Sequence, residues 1–358
     1  MSSVLLVEPI TFGPNPKTKD NALIQSMTVS NAMADMDRSR VCALVSDLSE
    51  FFESQCGIHA VVIRQASEPK LHIRPLIDKG QSVCVADNLS FHNFVDAEGV
   101  IQRRVVVFHP MSPLRRGELA RKQLVDQITS VAEAGAAVEV IDLRGYEAED
   151  KFLEGSGSLV FSPGCRYVYM AVSQRSDPEV LDTLCSRENL NIPASNRFLL
   201  RSKDGLPHTN VLGWCGHGIC AWCFNNLVFE TEDAETAFYD HLSQSYSCVM
   251  ELSEGEMHGF AGSAVEVFMR PSGVNDGSAH NALVISESAL AALSPKNRTL
   301  LNDWYDVDHI HTFYGEMLER RCGTSLPSCI ALSYTHGSCP PAPEQESICE
   351  MLKLGDRK

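Results

Sequence analysis

The feature that most restricts the fold of this chain is a recurrence. Five polar or glycine-bearing turns, each set before a short apolar segment, carry Asp87, Glu154, His208, Gly262 and Cys329. They are separated by 67, 54, 54 and 67 residues, and each interval holds roughly strand, strand, helix and strand. Self-similarity at a near-regular spacing marks an architecture built from repeated supersecondary units. Strands alternating with helices place it in the α/β class. If rotation relates the units, all five turns meet at one end of a central axis. Asp, Glu, His and Cys then converge there from distant parts of the chain.

The elements are read from apolar periodicity and caps. Strands are expected at 4–7, 59–63, 82–85, 105–108 and 138–141, with a long loop over 13–38. Val41, Leu44, Val45, Leu48 and Phe52 fall at helical spacing, as do Leu124, Ile128 and Val131 after Pro113. A glycine-rich turn leads into 157–161, with 166–172 as its hairpin partner. Asp177-Pro178 and Ser294-Pro295 read as a cap followed by proline at the first helical position. Further helices are expected over 218–226 and 233–243, and strands at 197–200, 247–252, 282–285, 307–312 and 330–334. No boundary divides 1–335, which reads as one unit, and the proline-containing 336–358 reads as a tail.

Composition narrows the class. With 44% hydrophobic and 21% charged residues the chain can bury a large core. Its net charge of −16 argues against binding nucleic acid or an anionic membrane through bulk charge. No stretch approaches the roughly 18 apolar residues of a membrane span. The first residues lack the basic and long apolar regions of a secretory leader. Thirteen irregularly spaced cysteines suit reduced thiols and a cytoplasmic setting rather than a disulfide framework.

Cys329 is the most suggestive of these thiols. It ends the turn Gly323-Thr-Ser-Leu-Pro-Ser-Cys329, directly before an apolar segment. Turns at strand mouths present side chains from a rigid scaffold. A reactive thiol needs a histidine nearby and, for a cationic substrate, carboxylates. His208, Glu154 and Asp87 are the residues the recurrence brings to it.

Several segments resemble the pentein superfamily of guanidino-group-modifying enzymes, which includes arginine deiminases, dimethylarginine dimethylaminohydrolases and amidinotransferases. Val7-Glu-Pro-Ile-Thr-Phe-Gly-Pro-Asn15, Phe108-His-Pro-Met111 with Arg115-Arg116-Gly-Glu118, Leu153-Glu-Gly-Ser-Gly-Ser-Leu-Val160, His208-Thr-Asn-Val211 and Phe260-Ala-Gly262 carry the resemblance. It is closest to the citrulline-utilisation hydrolases and covers about residues 4–335. It implies a five-bladed α/β propeller of ββαβ modules, with no metal or organic cofactor and a small guanidino or ureido substrate. A homo-oligomer is compatible with it.

The resemblance also implies roles. Cys329 attacks the guanidino or ureido carbon, and His208 protonates the leaving nitrogen and then activates water. Asp87 and Glu154 accept the forked N–H groups of the substrate. Asn210, Arg115, Arg116 and Gly262 are placed at the substrate, one of the arginines on a carboxylate. Two departures stand out. Asn210 lies where arginine deiminases keep an acid, and Ser328 where the family often has arginine. They leave open hydrolysis, amidino transfer, or a non-catalytic binding module.

A rival constellation is Cys215, His217, Cys220 and Cys223, four candidate ligands within nine residues. It reads either as a zinc site or as core packing on one helix face.

Overall fold

The computed structural model describes residues 3–15, 21–24, 30–65, 81–116, 138–269 and 279–337. β1 (Ser3–Glu8) is followed by α1 (Asn31–Ser54) and by β2 (His59–Arg64), which lies parallel to β1 with Ser3 opposite His59. Ser30 caps α1 by accepting from the Met33 N–H, and Val41, Leu44, Val45, Leu48, Phe51 and Phe52 form its buried stripe.

The next unit shows the repeat in full. β3 (Leu89–Val95) and β4 (Ile101–Phe108) form an antiparallel hairpin, and β5 (Val138–Asp142) adds parallel to β4. β6 (Leu159–Phe161) and β7 (Val168–Ala171) pair antiparallel. The chain returns through α2 (Pro178–Leu184) to β8 (Arg197–Ser202), parallel to β7. Asp177 caps α2 by accepting from the Glu179 N–H, with Pro178 in the first turn.

β9 (Gly213–Cys215) and β10 (Ile219–Trp222) form the next hairpin. The short β11 (Leu227–Val228) joins the edge of β8, and α3 (Glu232–Ser245) then leads to β12 (Cys248–Glu251), parallel to β10. β13 (Ala264–Met269) and β14 (His280–Ser286) follow. α4 (Pro295–Tyr305) then leads to β15 (Ile310–Phe313), parallel to β14.

β16 (Ala331–His336) pairs antiparallel with β1 and so supplies the hairpin partner that the first unit lacked. It also runs parallel to β3, which merges the first two units into one six-stranded sheet. Each of the five units is therefore an antiparallel pair extended by a parallel strand. The right-handed crossover rule favours this layout wherever a helix intervenes. The repeated α/β units expected from the sequence are thus present.

Four local expectations are corrected. The segment 218–226 is no helix but contains β10, whose four residues are buried on both faces between β9 and β12. An apolar run buried on both sides has no strand periodicity to read. The 82–85 segment is a turn entering the 3-10 turn Val85–Asp87, and β15 begins at Ile310 after another such turn. α1 begins at Asn31, inside the expected loop. The helix expected after Pro113 and all but 336–337 of the tail lie outside the described residues.

Candidate active site

The first strand of each unit is entered through a tight turn, and these turns hold the candidate residues. Asp87 closes Val85–Asp87, Glu154 precedes the helical turn Gly155–Ser158, His208 precedes Thr209–Val211, and Cys329 ends Leu326–Cys329. The Gly155–Ser158 turn touches both Val85–Asp87 and Thr209–Val211, and Leu326–Cys329 packs on Val85–Asp87 and Gly155–Ser158. Asp87 and Glu154 are 0% exposed, Cys329 is 1% and His208 is 2%. Carboxylates so buried need partners.

Arg115 supplies the main one. Its Nη1 donates to Asp87 Oδ2 at 3.0 Å and to Glu154 Oε2 at 2.7 Å. His208 Nε2 lies 3.0 Å from the same Glu154 oxygen, and Arg175 Nη1 lies 3.5 Å from it. The Ser112 N–H donates to Glu154 Oε1 at 3.2 Å. Ser156 Oγ is 3.0 Å from Asp87 Oδ1 and 3.3 Å from the Pro327 carbonyl, which ties the Cys329 turn to the Asp87 turn.

These surroundings separate the two acids. Burial works to raise the Glu154 carboxyl, but Arg115, Arg175 and His208 outweigh it and hold Glu154 well below its ordinary value. At Asp87 burial wins over Arg115 and His208, and its carboxyl is raised.

Cys329 is not isolated. Its thiol shares hydrogen bonding with Cys84, which also meets Cys322. Burial first, then the bond to Cys84, pushes Cys329 well up. Bonds from Cys322 and Cys329 hold Cys84 well down against burial, with help from Arg115 and His208. The two opposite shifts belong to one coupled thiol pair, which shares its proton between Cys84 and Cys329.

The substituted positions pair with each other. Asn210 Nδ2 donates to Ser328 Oγ at 3.2 Å, and Ser328 Oγ meets Thr324 Oγ1 at 2.7 Å. A neutral amide and a hydroxyl thus complement one another beside the Cys329 turn. Among the described residues, His208 Nδ1, Asn210 Oδ1, Ser112 Oγ and both Asn88 amide atoms are buried without a hydrogen bond. Buried polar atoms of this kind are where a polar ligand finds partners.

Not every expected residue joins the cluster. Arg116 turns away, donating to the Met111 and Glu147 carbonyls at 3.1 and 3.0 Å and pairing with the Glu147 carboxylate. Arg115 is committed to the two acids rather than displayed for a substrate carboxylate. Gly262 serves packing: a Cβ there would lie 2.1 Å from the Val211 carbonyl oxygen. Gly157 has a matching role at the site, since its Cβ would lie 3.0 Å from His208 Nε2. Ser112, Ser156, Arg175 and Cys84 escaped the sequence reading. Only Ser156, inside the Glu-Gly-Ser-Gly-Ser run, and Cys84, three residues before Asp87, carried any signal.

The rival Cys/His constellation comes apart. Cys215 pairs across the β9–β10 hairpin with Cys220, and His217 turns to the Glu266 carboxylate. Burial pushes the Cys215 thiol up to about 12 and Cys223 to about 11.

A profile of the eukaryotic N,N-dimethylarginine dimethylhydrolases matches residues 8–330. The chain belongs to that family. It is accordingly a member of the guanidino-modifying penteins, within a family of hydrolases acting on C–N bonds. No curated protein sequence matches it significantly. Among solved structures, the family fold is similar to that of ArgZ, an arginine dihydrolase from the ornithine–ammonia cycle in cyanobacteria. The TM-score is 0.62 at 14% identity over 95% of this chain, which spans only 42% of that longer protein. The isolated N-terminal domain of ArgZ, bound to substrate, matches with TM-score 0.61 at 14% identity over 94% of this chain and 99% of the domain. A dimethylarginine dimethylaminohydrolase variant, an adduct with S-methyl-L-thiocitrulline, matches with TM-score 0.52 at 11% identity over 93% of this chain and all of that one. At such identities the likeness concerns the fold. No helix among the described residues is long and apolar enough to cross a membrane.

Proposed function

We propose that this protein hydrolyses a guanidino C–N bond of arginine or an N-methylated arginine, with Cys329 as nucleophile and a covalent intermediate. The observation that carries this reading is the seat of the Arg115 guanidinium between Asp87 and Glu154, beside His208 and the Cys329 turn. The acid pair already accepts a guanidinium nitrogen, the chemistry a substrate of this class requires.

The reaction runs in two halves. The Cys329 thiolate attacks the guanidino carbon and forms an S–C bond. The C–N bond breaks as His208 delivers a proton to the departing ammonia or amine, leaving an S-alkylthiouronium. Water then attacks the same carbon while His208 takes its proton. The C–S bond breaks, which returns the thiolate and releases a ureido product. Glu154 holds the His208 ring through Nε2 and fixes its orientation. Burial of all four groups keeps bulk water from the thiouronium. Water as acceptor agrees with a hydrolase family; amidino transfer, citrulline hydrolysis and a non-catalytic binding role have no observation that favours them.

The test is a screen for released ammonia, methylamine, dimethylamine and urea. It covers arginine, N-methylated arginines, citrulline, agmatine and guanidino acids, with wild type and Cys329→Ser. Turnover abolished in Cys329→Ser, together with haloacetamidine labelling at Cys329 by peptide mass, supports the reading. Labelling at another cysteine, or no turnover on any compound, overturns it.

A further inference from the structure

We propose that His92, Cys165 and His336 form a binding site for a divalent cation of the zinc class, distinct from the catalytic cluster. The three residues come from separate parts of the fold. His92 lies on β3, His336 ends β16, and Cys165 ends the turn between β6 and β7. All three are buried, and their ligand atoms lie within 4.8 Å of one another. Among the described residues this is the one group of three or more such side chains that comes together in this way. Asp87 and Cys329 lie before the starts of β3 and β16, so the catalytic turns are about 15 Å away along the strands.

The geometry is close to that of a loaded site. His92 Nδ1 and His336 Nε2 are 2.8 Å apart and share a hydrogen bond. Two nitrogens at about 2.0–2.1 Å from a tetrahedral zinc are about 3.4 Å from each other. Loading therefore asks the imidazoles to part by roughly half an ångström. Two histidines and a thiolate are a donor set of mixed softness, which suits zinc or cobalt and leaves a fourth position for water.

The outer contacts point the same way. A ligating histidine is oriented by a hydrogen bond at its other ring nitrogen. His92 Nε2 lies 2.9 Å from Ser90 Oγ, which in turn lies 2.8 Å from His109 Nε2. Phe94 stacks on His336 and Tyr334 on His92, so the donors sit in a largely aromatic wall. Cys165 adopts φ 51°, a left-handed conformation unusual for a residue with a side chain. Strain of this kind persists where the surroundings hold a side chain in a required place. A bound ion would fasten β16, the strand that joins the first two units, to the β6–β7 hairpin.

The test uses the full chain as Cys329→Ser, so that the catalytic thiol adds no signal. The protein is stripped with chelator and titrated with Co²⁺, then competed with Zn²⁺. Bound metal per chain and the thiolate-to-cobalt charge-transfer absorption are measured together. One bound equivalent with the charge-transfer band is expected. Both are expected to vanish in Cys165→Ala and in His336→Gln, and affinity to fall about tenfold or more in Ser90→Ala. Metal-free denaturation midpoints establish that each variant is folded, and two independent ligand removals guard against failure of one. Absence of the band, its survival in both ligand variants, or its loss in Cys223→Ser instead overturns the proposal.

Discussion

Replacing Arg115 with methionine removes the one cation that bridges both acids while keeping most of the buried stem. Arg115 is 1% exposed, and Asp87 and Glu154 are fully buried, so water cannot replace the lost charge without rearrangement. Removing one member of a buried ion pair costs about 3–5 kcal/mol, because the other is left uncompensated. For 358 residues the unfolding entropy is about 0.75 kcal/mol/K, so the loss corresponds to a fall in Tm of about 4–7 °C. The size of the drop depends on pH in a fixed direction. Glu154 sits below its ordinary value, so it contributes stability above the unfolded carboxyl pKa that is lost as pH falls. Asp87, already raised, contributes in the opposite sense, and its share is lost as pH rises. Without Arg115 both carboxyls shift up, and the gap between variant and wild type narrows as the pH is lowered towards 4. Calorimetry at pH 7 and pH 4 measures this. In Arg115→Met/Glu154→Gln the combined loss is expected to be smaller than the sum of the single losses. A variant within about 1 °C of wild type at pH 7, or a gap that does not close in acid, refutes the reasoning.

Two further outcomes follow from the same contacts. Cys84→Ala removes the neighbour that, after burial, does most to raise Cys329, so the Cys329 pKa falls, and alkylation of Cys329 at neutral pH accelerates about threefold per pKa unit once lower nucleophilicity is counted. Unchanged or slower alkylation, read by peptide mass, rejects the shared-proton picture. Gly157→Ala pushes a Cβ to 3.0 Å from the His208 ring, which must shift by a few tenths of an ångström. An approximately tenfold fall in kcat at an unchanged Tm is expected for such a misplacement, and an unaltered kcat counts against His208 as the proton carrier.

The site was legible where local sequence carries its own geometry. Turn residues before apolar strands marked the four positions that the structure brings together, and Asp177-Pro178 and Ser294-Pro295 marked helix starts that the structure retains. The partners were not legible, because they are set by packing between units. Ser156 meets the Pro327 carbonyl across 171 residues of chain, and no local pattern announces such a pair. Both residues of the Arg115-Arg116 pair were expected at the substrate, yet Arg115 is buried between the two acids and Arg116 turns away. The strand Ile219–Trp222 was misread for the related reason that complete burial erases periodicity. Asn210 and Ser328 looked like two separate departures from a pattern. In space they meet, with Asn210 Nδ2 donating to Ser328 Oγ.

The unequal acids give that site a direction. Glu154 is bound by two arginines, a histidine and a backbone N–H, so its charge is fixed and serves to hold His208. Asp87 has one arginine and a serine hydroxyl against complete burial, and its carboxyl is raised. Two carboxyls pushed apart by their surroundings take different roles. In the proposed reaction a guanidinium substrate brings to Asp87 the second positive charge it lacks. Binding then favours the Asp87 carboxylate and releases any proton it carries. The same cation, placed beside the Cys84–Cys329 pair, favours the anion on the sulfur that faces it. Substrate charge thereby becomes part of the activation of Cys329, and a neutral ureido compound in the same seat provides neither effect.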